Sequence, residues 1–252
     1  MIRIISFTDY YYPGYKAGGT IRAFLNQVEY LKDQFEFYIV TRNTDYTENV
    51  PYEGIVPDTW TGLSENVHVY YFSQENIKAS VIKKLLNERP YDVVYIHLLF
   101  GFWFSMLPLY LAKKKGFRKI VVAAHGNLGA GALSVKSARK KIYLNLARIL
   151  GVYRNVVFHS VTPHETDDIR QHIGPKTNII EARELPRKIS SEPVRSGKKA
   201  GALRMVTVAR IAPEKNQMFA LRFLKQCTAN VIHYDLIGPV YDEAYWQECQ
   251  SV

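Results

Sequence analysis

The sequence predicts an α/β fold, a doubly wound and mostly parallel sheet followed by the beginning of a second domain of the same kind. Three observations predict it. Short β-branched runs alternate with helical patterns, several of those runs are apolar on both faces, and the alternation lapses over one basic, polar stretch before it resumes. Alternating strand and helix calls for βαβ units. Strands apolar on both faces belong in a parallel sheet covered by helices on each side.

Taken in order, "RIISFTD" (3–9), "FEFYIVT" (35–41), "VHVYYF" (67–72), "DVVYIHL" (92–98), "KIVVAAH" (119–125) and "NVVFHSV" (155–161) read as strands. Helical patterns fall near 20–32, 76–88, 102–115, 136–151 and 163–172. The polar stretch 42–66, with two prolines and two glycines, reads as a loop insertion over the strand ends. A further short strand, "TNIIE" (177–181), closes a first domain over 1–182. Residues 183–202 lose periodicity and become basic and Ser- and Pro-containing, the composition of a linker. Beyond it, strand 204–209, helix 216–228, strand 231–237 and helix 242–250 open a second domain over 203–252. Independent stability normally takes three or more paired strands, so this second domain is expected to be incomplete and the chain truncated.

Composition narrows the function. With 47% hydrophobic residues the chain is globular, and a net charge of +10 favours anionic partners. The basic runs 113–119 and 136–141 carry no nucleic-acid motif, so nucleic acid is not an expected partner. Cys227 and Cys249 have neither metal-ligand nor C-x-x-C spacing, which predicts reduced thiols and a cytoplasmic protein. The N-terminus lacks the sections of a signal peptide. The longest apolar stretch, Leu98 to Ala112, is broken by Gly101 and Pro108 and is too short to span a bilayer. Followed by "KKKGFRK", it leaves peripheral contact with an anionic membrane open, although a helix packed on the sheet is the plainer reading.

Three constellations bear on chemistry. In "YYPGYKAGGTIRAFL" a strand ends in a loop whose Gly18 and Gly19 lead into a helix that Thr20 is placed to cap. Adjacent glycines let backbone N–H groups approach a phosphate, and the helix N-terminus adds partial positive charge. The spacing is not G-x-G-x-x-G, so the dinucleotide fingerprint is missing. In "VVAAHGNLGAGALS" a buried strand delivers His125 at its carboxyl end, where open α/β sheets place ligands, although a lone histidine there is often structural. In "VARIAPEKNQMFAL" Arg210 and Lys215 flank a loop before a helix. Two cations there oppose the helix dipole unless a bound diphosphate reverses the penalty. Against these stand several absences. "HETDD" (164–168) has Asp168 where a zincin helix has its second histidine, and neither Asp-x-Asp, a P-loop ending nor G-x-S-x-G occurs.

In this order the chain resembles glycosyltransferase family 4, the group 1 glycosyltransferases of GT-B architecture. The resemblance rests on "PGYKAGGTIRAFLNQVEYL", "FYIVTRN", "DVVYIHLLF", "VVAAHGNLGAGAL", "SVTPHETDDI" and "VARIAPEKNQMFAL". It implies two Rossmann-like domains and transfer of a sugar, with retention and without a metal or other cofactor, from a nucleotide-diphosphate donor. The acceptor would be a glycan or a lipid-linked oligosaccharide of polysaccharide or cell-envelope synthesis, at the inner face of the cytoplasmic membrane in the second case. Gly18 and Gly19 match the family's loop near the donor phosphates. His125 matches its histidine near the transferring sugar, and Arg210 and Lys215 match its cations on the leaving diphosphate. The family's paired-glutamate motif has no convincing counterpart: Glu184 and Glu192 share the spacing but lie in the linker, with Pro186 between them. Weak or no activity is therefore expected of the chain alone. A nucleotide-sugar 2-epimerase, or a non-catalytic binding module left by truncation, is the alternative.

Overall fold

A computed structural model describes residues 1–134, 137–189, 192, 197, 200–227 and 231–252. It divides into two compact units, Met1–Ile189 and Ser190–Val252.

The first unit is a sheet of β1 (Ile2–Phe7), β2 (Phe35–Arg42), β3 (Trp60–Ser64), β4 (Val67–Phe72), β5 (Val93–His97), β6 (Ile120–Ala123), β7 (Val157–Ser160) and β8 (Asn178–Glu181). Their spatial order is β3-β4-β2-β1-β5-β6-β7-β8. All neighbours pair in parallel except β3, which runs antiparallel to β4 at the edge. The helices are α1 (Gly19–Leu31), α2 (Ala79–Glu88), α3 (Leu107–Lys115), α4 (Ala130–Ser134), α5 (Ser137–Ile149) and α6 (Pro163–His172). This is the predicted doubly wound sheet, with the order reversing between β1 and β5.

Alternation along the strands separates two cores. Ile5, Phe7, Val40, Phe72, Val94, Ile96, Val122 and Phe158 face one side, against apolar residues of α2, α3, α5 and α6. Phe37, Ile39, Val69 and Tyr71 face the other, where α1 covers them with Phe24 and Val28. A π-helical turn, Phe102–Met106, leads from β5 into α3. It begins at Gly101, where a Cβ would lie 2.6 Å from Asp9 Oδ2, so any larger residue would have to push that carboxylate aside.

Two expectations are corrected. The stretch 42–66 is not wholly loop, because β3 pairs with β4 as an edge strand. Thr20 does not cap α1: Gly18 holds the cap position at φ 85°, a conformation open to glycine, and no side chain caps the helix. The helix expected over 136–151 is described only over Ser137–Ile149, and Lys136 lies outside the described residues.

Part of the linker expected over 183–202 also lies outside the described residues. Residues 182–188 run along α1, where the Leu185 carbonyl accepts from Asn26 and Lys188 donates to the Glu29 carbonyl. The second unit consists of β9 (Ala202–Val208) and β10 (Val231–Ile237), paired in parallel, with α7 (Gln217–Lys225) and α8 (Glu243–Gln250). Residues 228–230, the end of the helix expected over 216–228, lie outside the described residues.

Candidate functional site

Open α/β sheets bind ligands outside the carboxyl ends of their strands, where the strand order reverses. Here that is the β1/β5 boundary, flanked by the turn after β6. Gly18 and Gly19 are exposed at the N-terminus of α1, on the loop that follows β1. The first turn of α1 contains no acidic side chain and no capping hydrogen bond, so its backbone N–H groups remain available. That loop is fixed by Asp45, a buried carboxylate that accepts from the backbone N–H groups of Tyr15, Lys16 and Tyr46.

His125 follows β6, two strands beyond β1 on the same edge, roughly 10 Å away by strand spacing. It adopts φ 47° and Gly126 φ 72°, a left-handed pair uncommon for a histidine. Glu165 holds this turn. Buried in the first turn of α6, it accepts from Gly126 N–H at 2.6 Å with one oxygen and from Val161 N–H at 2.7 Å with the other. Thr162 caps the same helix by accepting from Glu165 N–H, so "TPHE" works as a variant capping box. The segment that fails as a zincin motif is thus the brace of the histidine turn.

The imidazole of His125 points inward, with only 7% of its side chain exposed. Its Nε2 lies 3.0 Å from His97 Nδ1, with the rings stacked at 11°. His97 at the end of β5 is fully buried, and Phe24 of α1 packs on its ring at 3.9 Å. Burial lowers both pKa values, that of His125 to about 4, so both are neutral near pH 7. Only one proton lies between them. If His97 donates, His125 carries its other proton on Nδ1, facing Glu184 Oε1 at 3.9 Å, and His97 is left with a bare Nε2 lone pair. That arrangement leaves no bare donor on the fully buried His97 and turns a proton rather than a lone pair toward the carboxylate, so it is the favoured tautomer, with no hydrogen bond closed at His125 Nδ1. Burial, aided by the charge of Glu165, raises the pKa of Glu184.

A second relay runs beside the first. Tyr95 O–H lies 2.6 Å from His159 Nδ1, and His159 Nε2 lies 2.8 Å from the Ala182 carbonyl. The carbonyl can only accept, so Nε2 carries the proton and Nδ1 accepts from the tyrosine. Both relays border an apolar hollow of about 340 Å³ between α1, the sheet face and residues 182–185. Among the described residues, no group of three or more His, Cys, Asp or Glu side chains is arranged to hold a metal ion.

In the second unit, Arg210 follows β9, and Lys215 ends a short turn before α7. The Arg210 guanidinium pairs with Glu214 at 2.9 Å and lies over the Tyr241 ring. The Lys215 ammonium is exposed and has no ion-pair partner among the described residues. Asn216, left-handed at φ 53°, precedes α7 without a capping side-chain bond.

Sequence reading therefore found the glycine turn and the histidine turn, and the structure puts both on one edge of the sheet. It missed His97, Tyr95, His159 and Glu165. The capping-box spacing of Thr162 and Glu165 was the one signal that could have found the last.

The comparisons with known proteins agree with this geometry. A family model described as "Glycosyl transferase 4-like" matches residues 20–154, more than half of the chain. The chain belongs to this family. No curated protein matches it closely enough in sequence to count as a relative. Among solved structures it is similar to sucrose-phosphate synthase from Thermosynechococcus elongatus, at 12% identity and a TM-score of 0.60 over 94% of this chain and 62% of that one. It is also similar to the catalytic domain of starch synthase IV from Arabidopsis thaliana bound to ADP and acarbose, at 11% identity and a TM-score of 0.55 over 99% and 71%. A third likeness is to ligand-free OtsA, at 11% identity and a TM-score of 0.53 over 100% and 68%. At such identities the likeness is one of fold, the Rossmann-like fold of GT-B proteins. The chain spans about 62% of the length of the sucrose-phosphate synthase.

Proposed function

We propose that this protein acts in a glycosyltransferase that moves a sugar from a nucleotide-diphosphate donor to a glycan or lipid-linked acceptor. The observation that carries the reading is the carboxyl edge of the first sheet. There a glycine turn with free helical N–H groups and a braced histidine turn flank the switch point, in a chain of a glycosyl transferase family. Starch synthase IV, of like fold, was captured with ADP, a nucleoside diphosphate.

Cleaving a sugar–phosphate bond builds negative charge on the departing diphosphate, and fixed N–H groups and cations stabilise that charge as it grows. In this reading Gly18 and Gly19 admit the phosphates to the N-terminus of α1. Arg210 and Lys215 neutralise the diphosphate without a metal. The Arg210–Glu214 pair is exposed and weak, so a phosphate displaces Glu214 at little cost. His125 stays neutral and enclosed. Its part is to hold the shape of the turn at the reacting sugar, with its Nδ1 reached only when Glu184 moves aside. Retention, the cytoplasmic setting and contact with an anionic membrane through the Leu98–Lys119 region belong to the same proposal.

Isothermal titration with ADP, GDP and UDP tests it. We expect one diphosphate to bind, and binding to weaken at least ten-fold in Arg210→Ala and in Lys215→Ala. No binding of any of the three, or binding indifferent to both substitutions, would overturn the donor assignment.

A further inference from the structure

The amino edge of the first sheet, opposite the glycine and histidine turns, carries charge that the donor chemistry does not use. Between Val93 and His164 the sequence holds eleven lysines and arginines and not one Asp or Glu. Part of this charge gathers around an open hollow of about 670 Å³. Its rim bears Arg118 before β6, Arg148 in the last turn of α5, Arg154 before β7 and Lys176 before β8, and no acidic side chain lines it. All four cations are exposed, and none has an ion-pair or side-chain hydrogen-bond partner among the described residues.

The turn from α5 to β7, which carries Arg154, is firmly held. Lys113 of α3 donates to the carbonyls of Gly151, Val152 and Arg154, and the Tyr143 and Tyr153 hydroxyls bond at 2.8 Å. Leu144, Ala147 and Val156 lie buried beneath as an apolar floor. Cations near a helix C-terminus often serve its last carbonyls. Here those carbonyls are already taken: Leu146, Ala147 and Arg148 accept from the N–H groups of Leu150, Val152 and Gly151. The rim is left with like charges only, and burial, aided by the Arg154 charge, lowers the Lys113 pKa. An anion would relieve that crowding.

Chemistry and span point to the kind of anion. Three of the four cations are arginines, whose forked N–H groups fit phosphate oxygens in pairs. β6, β7 and β8 are adjacent, so the row is roughly 10 Å wide. Charge spread over that width suits two phosphate groups better than one. The one aromatic ring of the wall, Tyr153, is buried, so no base can stack there as single-stranded nucleic acid requires. We propose that the hollow binds a ligand with two phosphate groups, either a soluble bisphosphate or the head of an anionic lipid. Arg118 and His125 stand at opposite ends of β6, roughly 20 Å apart along the strand, so this ligand does not compete with a nucleotide at the glycine turn. The claim is independent of the transferase reading. For a lipid, α5 also offers Ile142, Leu146 and Ile149, exposed at helical spacing on the side away from Leu144 and Ala147.

Isothermal titration with fructose 1,6-bisphosphate, and co-sedimentation with phosphatidylcholine vesicles with and without cardiolipin, test the site and separate the sources. At least one probe should bind at low salt, and Arg148→Gln with Arg154→Gln should weaken it at least ten-fold. The control pair Lys83→Gln with Lys84→Gln, exposed on α2, should change it less than two-fold. Vesicle binding that requires cardiolipin assigns the lipid source, and Leu146→Ser with Ile149→Ser should then weaken it too. Binding of the bisphosphate alone assigns the soluble source. Three results would overturn the site: no binding of any probe, binding indifferent to the rim variant, or an equal loss in the control pair. Failure here leaves the nucleotide titration untouched, and failure of that titration leaves this result standing.

Discussion

The two ends of the carboxyl edge are built in opposite ways. At the His125 turn, Glu165 accepts two backbone N–H groups, and His125 and His97 pair with each other while one buried nitrogen of each ring has no partner. At Asn43, where the chain leaves β2, backbone bonds do the holding: its N–H donates to the Phe72 carbonyl and its carbonyl accepts from Tyr52 N–H. The difference separates a turn braced by a buried side-chain carboxylate from one held by the backbone alone.

Substitutions can break that contrast, beginning with the largest effect. Glu165→Ala strands the N–H groups of Gly126 and Val161 and should cost about 3 kcal/mol, at roughly 1–3 kcal/mol for each buried group left unpaired. Urea unfolding would show it, and Glu165→Gln, which can satisfy one of the two, should fall between. A loss below about 1 kcal/mol in the alanine variant would mean that the turn holds without its brace.

Acid should act next. His125 has a pKa of about 4 in the fold, against about 6.5 in the unfolded chain. Above pH 6.5 both states are neutral and pH has no effect through this group. As pH falls from about 6.5 to about 4 only the unfolded chain takes the proton, so about 3 kcal/mol of stability is lost. The readout is the difference between wild type and His125→Asn across that range, since other groups titrate in both. Curves that stay parallel would rule out the buried neutral histidine.

Smaller again is Gly18→Ala, which forces a Cβ into a backbone conformation at φ 85° and should cost about 1–2 kcal/mol by thermal melt. Gln74→Ala, at an exposed position beyond β4, should change stability by no more than about 0.5 kcal/mol in the same melt.

How far the sequence was legible follows the same contrast. The parallel strands could be read because "KIVVAAH" and "DVVYIHL" carry their burial in their own pattern. β3 could not, because "WTGLS" is short, contains Gly62 and holds its place through the ladder to β4 rather than through its own apolar spacing. The glycine turn was legible from backbone chemistry alone. Glu165 was not: its residue type suggested a metal motif, and only the fold brings it within 2.6 Å of Gly126, 39 residues away. His97 was hidden for a similar reason, since a histidine inside an apolar strand gives no sign of the ring it will face.

The central claim is that the carboxyl edge of the first sheet receives a nucleotide diphosphate at the glycine turn. Amide hydrogen exchange on the full chain, with and without ADP, GDP or UDP, tests it most directly. The account predicts that at least one diphosphate protects residues 17–22. Exchange in that segment unchanged by all three would contradict it.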